Sequence, residues 1–157
     1  MEPETKLRAL LRRFPHGVAV LTVDADGARL GLTIDSLVSL SLEPPLVGIA
    51  ISKYAAMHEL LREAGAFVLS LLGENQVDVA QHFARGVPPI ALWQGISSHD
   101  GTVGAPLLDG AIGWIECRVA GEHDTGDHTL FVGEVLATSL GEPSAPLVHV
   151  ESGYRAL

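Results

Sequence analysis

Hydroxyl, carboxylate and ammonium side chains are concentrated between positions 33 and 53 of this chain. The cluster contains Thr33, Asp35, Ser36, Ser39, Ser41, Ser52 and Lys53. Alternate residues of a strand point the same way, so Ser39 and Ser41 are expected to line one groove. A helix beginning just after Lys53 would add free backbone N–H groups and the positive end of its dipole. The pattern therefore allows a phosphate site, although composition alone favours a solvated edge strand with water-facing serines.

A second polar group, the segment HDTGDH at positions 123–128, separates two long apolar segments. Two histidines and two aspartates in six residues could bind a metal ion, but their spacing is not that of a recognised ligand set. Such turns are ordinarily polar and exposed. We therefore expect no metal site, and a histidine that could hydrogen-bond a ligand carboxamide or phosphate.

The common nucleotide and nucleophile motifs do not occur in the sequence. There is no GxGxxG, no GxxxxGK[ST] and no GxSxG segment. A nucleotide cofactor would therefore bind outside Rossmann or P-loop geometry. The lone Cys117 excludes an intramolecular disulfide and a CxxC metal site, and its apolar neighbours favour a buried core position.

Composition and charge exclude several classes of protein. Hydrophobic residues make up 47% of the 157 residues and charged residues 18%, which is typical of one folded domain, here spanning 1–157. The formal charge of −9 argues against nucleic acid as a partner. No apolar run is long enough to cross a membrane, and no signal-peptide pattern occurs, so a cytoplasmic location is expected.

Hydrophobic periodicity predicts a mainly β protein with short helices. An N-terminal helix is indicated by Leu7, Leu10, Leu11 and Phe14, and further helices are expected over 55–64 and from Asn75. The strands are expected at 18–23, 29–34, 38–42, 46–51, 67–72, 111–123, 128–140 and 147–150, with a long loop over 86–104. Tight turns join most of these strands, which favours an antiparallel barrel over a parallel sheet.

Four sequence blocks, in this order, resemble the flavin reductase-like family. They are FPHGVAVLTV, GLTIDSLVSLSLEPPLVGIAIS, APLLDGAIGWIECRV and HDTGDHTLFVGEV, and the resemblance runs from about Phe14 to Tyr154. The family comprises small reductase components of two-component flavin monooxygenases and their relatives. The resemblance implies a dimeric, FMN-binding split β-barrel that holds FMN or FAD noncovalently, uses NADH or NADPH as reductant, and passes reduced flavin to an oxygenase partner.

The resemblance also implies roles for individual residues. The backbone of Thr33, Ile34, Asp35 and Ser36 would follow the flavin ring, and Ser39 would lie near the ribityl chain and phosphate. Further residues implied near the flavin are Ser52, Lys53, Tyr54, Met57 and Phe83. The family's Gly-Asp-His turn corresponds to Gly126, Asp127 and His128, with His128 as the catalytic residue beside the nicotinamide. Tyr154 corresponds to a C-terminal aromatic residue near the ligand.

Three positions depart from the family pattern. Asp35 stands where asparagine is common, and Ala55 and Met57 replace hydroxyl residues near the expected phosphate. Each lost hydrogen bond would cost on the order of 1 kcal/mol. The alternatives are therefore a flavoprotein that acts as an electron carrier or flavin-binding module and reacts poorly with nicotinamide, or a split-barrel dimer that binds another ligand such as haem.

Overall fold

The computed structural model describes residues 2–157. The helices are α1 (Pro3–Leu11), α2 (Ala56–Ala64), α3 (Val77–Ala84) and α4 (Pro89–Leu92). The strands are β1 (His16–Gly17), β2 (Ala19–Ala25), β3 (Ala28–Ile34), β4 (Val38–Leu42), β5 (Pro45–Ser52), β6 (Ala66–Leu71), β7 (Ser98–Asp100), β8 (Pro106–Leu108), β9 (Gly113–Asp124), β10 (His128–Leu140), β11 (Leu147–Val150) and β12 (Gly153–Ala156). In this part of the chain, no helix has the length and apolar character needed to cross a membrane.

A seven-stranded antiparallel sheet, in the order β3-β2-β6-β9-β10-β5-β4, forms the centre of the molecule. Strands β1, β11 and β12 form a second sheet, and β7 pairs with β8. The prediction of a mainly β, antiparallel protein with short helices is confirmed. Strands β3 and β4 are the two edges of the large sheet, and residues 35–37 connect them.

One face of the large sheet and one side of α2 enclose the main core. Fully buried side chains from five elements meet there, among them Leu21, Ile49, Met57, Phe67 and Phe131. Helix α2 ends at Gly65, which adopts the left-handed conformation with φ of 67°. A second core cluster, around Phe83 and Leu147, packs α3 against the other side of the sheet.

Helix α1 forms where its hydrophobic spacing predicts it, but it buries none of its side chains. Its leucines, Leu7, Leu10 and Leu11, are all more than half exposed, and so is Phe14, three residues beyond the end of the helix. The backbone N–H of Glu151 donates to the carbonyl of Arg12 at 2.6 Å, which ties the end of the helix to the β11–β12 turn. The amphipathic pattern thus predicts the helix correctly, but the apolar face of the helix is exposed to solvent.

The structure corrects the expected arrangement of β4. Ser39 lies opposite Val47, whereas Ser41 lies opposite Leu46, because a bulge at Leu40 interrupts the register with β5. Neighbouring residues of β5 point to opposite faces, so Ser39 and Ser41 do so as well. The prediction that both hydroxyls line one groove is therefore wrong. The predicted 86–104 loop is also wrong in part, since it contains α4 and β7.

Cys117 is fully buried on β9 and has no cysteine partner. Burial, together with the neighbouring Glu116, raises the pKa of its thiol to about 12. The pKa of this thiol is therefore higher in the folded than in the unfolded chain. The stability gained by burying the neutral thiol is complete below pH 9 and is lost as pH rises towards 12.

We expect a thiol-specific reagent at pH 8 to label native Cys117 at least about a thousandfold more slowly than the unfolded chain, following the difference in thiolate fraction. The check is the labelling rate with and without guanidinium chloride. Since the chain has one cysteine, no second thiol obscures the result. Fast labelling of the native protein would show that the thiol is accessible.

Candidate functional site

The segment that joins β3 to β4 carries free hydrogen-bond donors. The N–H groups of Asp35, Ser36 and Leu37 donate no hydrogen bond within residues 2–157. The side chain of Ser36 holds this segment in place, because its hydroxyl donates to the carbonyl of Ala50 at 3.0 Å and accepts from the N–H of Ala50 at 3.1 Å. The segment is therefore fixed against β5 while its backbone donors remain available to a ligand.

The end of β5 lies between this segment and the β9–β10 turn. His128 is the register partner of Ser52, and the N–H of Lys53 donates to the carbonyl of Asp127 at 2.9 Å. Because β4 and β10 flank β5 on opposite sides, Ser36 and His128 lie on either side of its C-terminal end. Helix α2 begins four residues after Ser52. The N–H of His58 donates to the carbonyl of Ala55 at 3.0 Å, which leaves the N–H groups of Ala56 and Met57 as the unpaired donors of the first turn.

Charged side chains in the turn are paired with one another. The ammonium group of Lys53 contacts Asp124 Oδ1 at 2.5 Å, and His128 Nδ1 lies 2.7 Å from Asp127 Oδ1. The hydrogen bond from Lys53 holds the pKa of Asp124 below its ordinary value, and the hydrogen bond with His128 does the same for the pKa of Asp127. Both carboxylates therefore stay ionised well into the acidic range, and His128 keeps its Nε2 free for a ligand.

A cavity of about 240 Å³ opens beside the end of β3. Its walls include Thr33, Ile34, Asp35, His149 and Tyr154. The Asp35 carboxylate does not stand alone in solvent, since His149 Nδ1 lies 3.2 Å from it. The pKa of Tyr154 is raised, first by burial and then by Asp35, so its phenol remains a donor through the neutral range.

A larger groove of about 620 Å³ separates α1 from the sheet. Its lining on the sheet side includes Asp35, Ser36 and Asp127, and its lining on the α1 side includes Arg8 and Arg12. The groove thus joins the two parts of the site, the β3–β4 connection and the β9–β10 turn. Six of the fourteen residues predicted around a ligand line one of the two cavities: Thr33, Ile34, Asp35, Ser36, Asp127 and Tyr154.

Eight predicted residues line neither cavity: Ser39, Ser52, Lys53, Tyr54, Met57, Phe83, Gly126 and His128. The side chain of Met57 is 1% exposed in the main core and that of Phe83 is 3% exposed in the second core, so only their backbones could contact a ligand. Phe83 is held against β3, where a Cβ on Gly31 would lie 2.6 Å from its ring. Tyr54 is exposed at the turn before α2, and Ser39 is exposed on β4.

His149 was missed by the sequence reasoning, although it lines both cavities and contacts Asp35. Its ring also lies 5.3 Å from that of Tyr154, its register partner on β12. The available signal was the strand LVHV, in which a histidine interrupts an apolar run. A similar histidine, His58, has a structural role: it is buried against Phe131 and bonds Thr129 Oγ1 at 2.7 Å.

Residues 11–157 match the model of the flavin reductase like domain. The chain belongs to the flavin reductase-like family. The match covers nearly the whole chain, so the resemblance inferred from the four sequence blocks is confirmed. It assigns the β3–β4 connection, the end of β5 and the β9–β10 turn to the domain shared by the family.

Two proteins of similar sequence are reductases. The chain is 41% identical over 147 residues to the reductase component of 4-hydroxyphenylacetate 3-monooxygenase from Thermus thermophilus, covering 94% of this chain and 92% of that protein. It is 39% identical over 143 residues to an NADH-dependent FAD reductase from Streptomyces globisporus, covering 85% and 75%.

Solved structures show the same fold. The NADH:FAD oxidoreductase of Streptomyces globisporus C-1027, in complex with NAD and FAD fragments, superposes with a TM-score of 0.92 at 33% identity, covering 99% of this chain and 93% of that one. The flavin reductase component of a bacterial two-component tryptophan halogenase superposes with a TM-score of 0.87 at 35% identity, covering 98% of each chain.

Proposed function

We propose that this protein is an NAD(P)H-dependent flavin reductase that binds FMN or FAD between the β3–β4 connection and the first turn of α2. The arrangement around the C-terminal end of β5 carries the proposal, because the free backbone donors of residues 35–37, the start of α2 and His128 all lie next to that end. The reductases named among the similar proteins support it. They also disfavour the electron-carrier alternative.

The donor set fits a flavin. The pyrimidine edge of the ring offers carbonyl oxygens and ring nitrogens, which the free N–H groups of residues 35–37 could meet. The first turn of α2 supplies N–H groups and a positive dipole for the phosphate, with Lys53 beside it. Flavin, when bound, accepts the hydride that the nicotinamide gives up; the chain itself supplies binding and orientation.

His128 would orient the nicotinamide nucleotide. The contact with Asp127 fixes the ring through Nδ1 and leaves Nε2 to bond a carboxamide or phosphate oxygen. No protein acid or base is needed for hydride transfer, so positioning and exclusion of water are the chain's contribution. Ser36, which holds the β3–β4 connection against β5, is a positioning residue for the flavin ring.

We also propose that a second copy of the chain covers the outer face of β4, β5 and β10, and that the dimer completes a split barrel. Val38 and Leu40 are each more than two-fifths exposed and meet Leu130 over Gly48, where a Cβ would lie 3.0–3.2 Å from all three. A contiguous exposed apolar surface is typical of a protein–protein interface. Sedimentation equilibrium measures the oligomeric state directly.

An oxygenase that accepts reduced flavin is the proposed further partner.

The deciding experiment is NADH and NADPH oxidation by the purified protein, followed at 340 nm with no flavin, with FMN and with FAD. Oxidation that rises with added flavin supports the reductase. Tight, copurifying flavin with no nicotinamide oxidation would instead support the electron carrier. A protein that neither binds flavin nor oxidises nicotinamide would contradict the proposal.

Replacing Asp124 by asparagine tests the phosphate role of Lys53. The amide oxygen of asparagine can still accept from the N–H of Gly126, as Asp124 Oδ1 does at 3.1 Å, so the turn is retained. Loss of the negative charge frees the Lys53 ammonium group for the phosphate. We expect the KM for FMN to fall by about two- to fivefold, a modest change because both side chains are solvent-exposed. An unchanged or higher KM would argue that Lys53 serves only the turn.

A further inference from the structure

The groove beneath α1 contains two arginines that the proposed ring site does not use. Arg8 and Arg12 both line it, facing Ser36, Asp35 and Asp127 across the opening. They lie four residues apart, so their side chains leave the same face of the helix about one turn apart. Two guanidinium groups on one wall of an open groove are suited to an anion with several oxygens.

Neither arginine forms an ion pair within residues 2–157, although acidic groups lie nearby. Among the groove carboxylates, Asp35 is engaged by His149 and Asp127 by His128. Glu4, the third, lies one turn towards the start of α1 from Arg8. Arg13, by contrast, is 3.8 Å from Glu151. Two unpaired cations therefore face a groove whose two central carboxylates already have partners.

Charge is unevenly distributed along the chain. Lys6, Arg8, Arg12 and Arg13 supply four of the ten cationic side chains of a chain with net charge −9. All four lie on or next to a helix that buries no side chain, so packing does not explain them. A concentration of cations on one exposed element is typical of anion recognition.

We propose that Arg8 and Arg12 bind the pyrophosphate of a dinucleotide whose reactive ring lies at the Ser36 and Asp127 end of the groove. This inference rests on the proposed function and extends it from the ring to the ADP part of the ligand. FAD and NAD(P)H both carry that part, whereas FMN lacks it. Bidentate bonds from guanidinium to phosphate oxygens provide the recognition.

The test compares two double variants that lose the same charge from the same helical region, R8A/R12A and K6A/R13A. Lys6 and Arg13 do not line the groove, so the second variant is the control. Calorimetry with ADP as the probe measures binding without any need for turnover. We expect the Kd for ADP to rise by about tenfold or more in R8A/R12A and to change by less than about twofold in K6A/R13A. Equal effects in the two variants, or no ADP binding to the wild-type protein at millimolar concentration, would overturn the inference.

Steady-state kinetics then identify the source of the pyrophosphate. A rise in KM for FAD but not FMN in R8A/R12A assigns the groove to the flavin dinucleotide. A rise in KM for NADH, measured with FMN, assigns it to the nicotinamide dinucleotide. A wild-type protein that binds ADP but oxidises no nicotinamide with either flavin would refute the reductase and leave the pyrophosphate site standing.

Discussion

Replacing His128 by alanine is expected to lower kcat/KM for NADH by about tenfold to a hundredfold. The substitution removes the free imidazole nitrogen that would hold the nicotinamide nucleotide, and one hydrogen bond to a charged group is worth about 1.5–3 kcal/mol. The KM for flavin should change much less, because the donors of residues 35–37 and the first turn of α2 are retained. Initial rates at 340 nm over a matrix of NADH and FMN concentrations separate the two effects.

The matched control is His99 replaced by alanine. His99 Nδ1 lies 2.6 Å from Asp109 Oδ1, so it is also a half-exposed histidine paired with an aspartate, but it belongs to the small β7–β8 sheet. Its loss should leave both KM values unchanged. If the two variants behave alike, His128 is an ordinary turn residue and the orientation of the nicotinamide depends on other groups.

Elements with strong local signals could be predicted from the sequence. The β2–β3 hairpin turns at Asp26 and Gly27, which adopt φ of 51° and 92°, a geometry that aspartate and glycine favour. Strand β10 has the predicted bounds 128–140, and α2 ends at Gly65 as expected. In each case the residues that decide the structure are close together in the chain.

Features that depend on distant partners could not be predicted. The contact between Asp35 and His149 joins residues 114 positions apart, so no local pattern could indicate that the carboxylate has a histidine partner. The bulge at Leu40 depends on the register with β5. Periodicity alone could not show that α1 leaves its apolar face open, since a buried and an open amphipathic helix have the same pattern.

The departures at Ala55 and Met57 acquire a physical explanation from the fold. Met57 is 1% exposed and packs in the main core, so a polar hydroxyl there would have to be satisfied inside an apolar cluster. The first turn of α2 can still contribute backbone N–H groups, which do not depend on side-chain type. Loss of the hydroxyls therefore weakens the proposed phosphate site without removing it.

Replacing Ser36 by alanine is expected to raise the KM for flavin by about threefold to thirtyfold. The hydroxyl makes two hydrogen bonds with the backbone of Ala50, and it is the side-chain contact that fixes residues 35–37 to β5. Loss of both bonds costs about 1–3 kcal/mol, part of it as stability and part as the cost of ordering the segment around a ligand. Flavin fluorescence quenching gives the Kd, and guanidinium unfolding gives the free energy of unfolding.

The two measurements distinguish a binding role from a purely structural one. Ser139, exposed near the end of β10 and without a side-chain hydrogen bond in the described chain, provides the control S139A. If S36A loses stability but binds FMN as the wild-type protein does, the β3–β4 connection supports the sheet and the ring binds elsewhere. If the Kd rises while S139A is unaffected, the free N–H groups of residues 35–37 are the donors that hold the flavin. The hydrogen bonds between the Ser36 hydroxyl and the Ala50 backbone then fix the orientation of those donors.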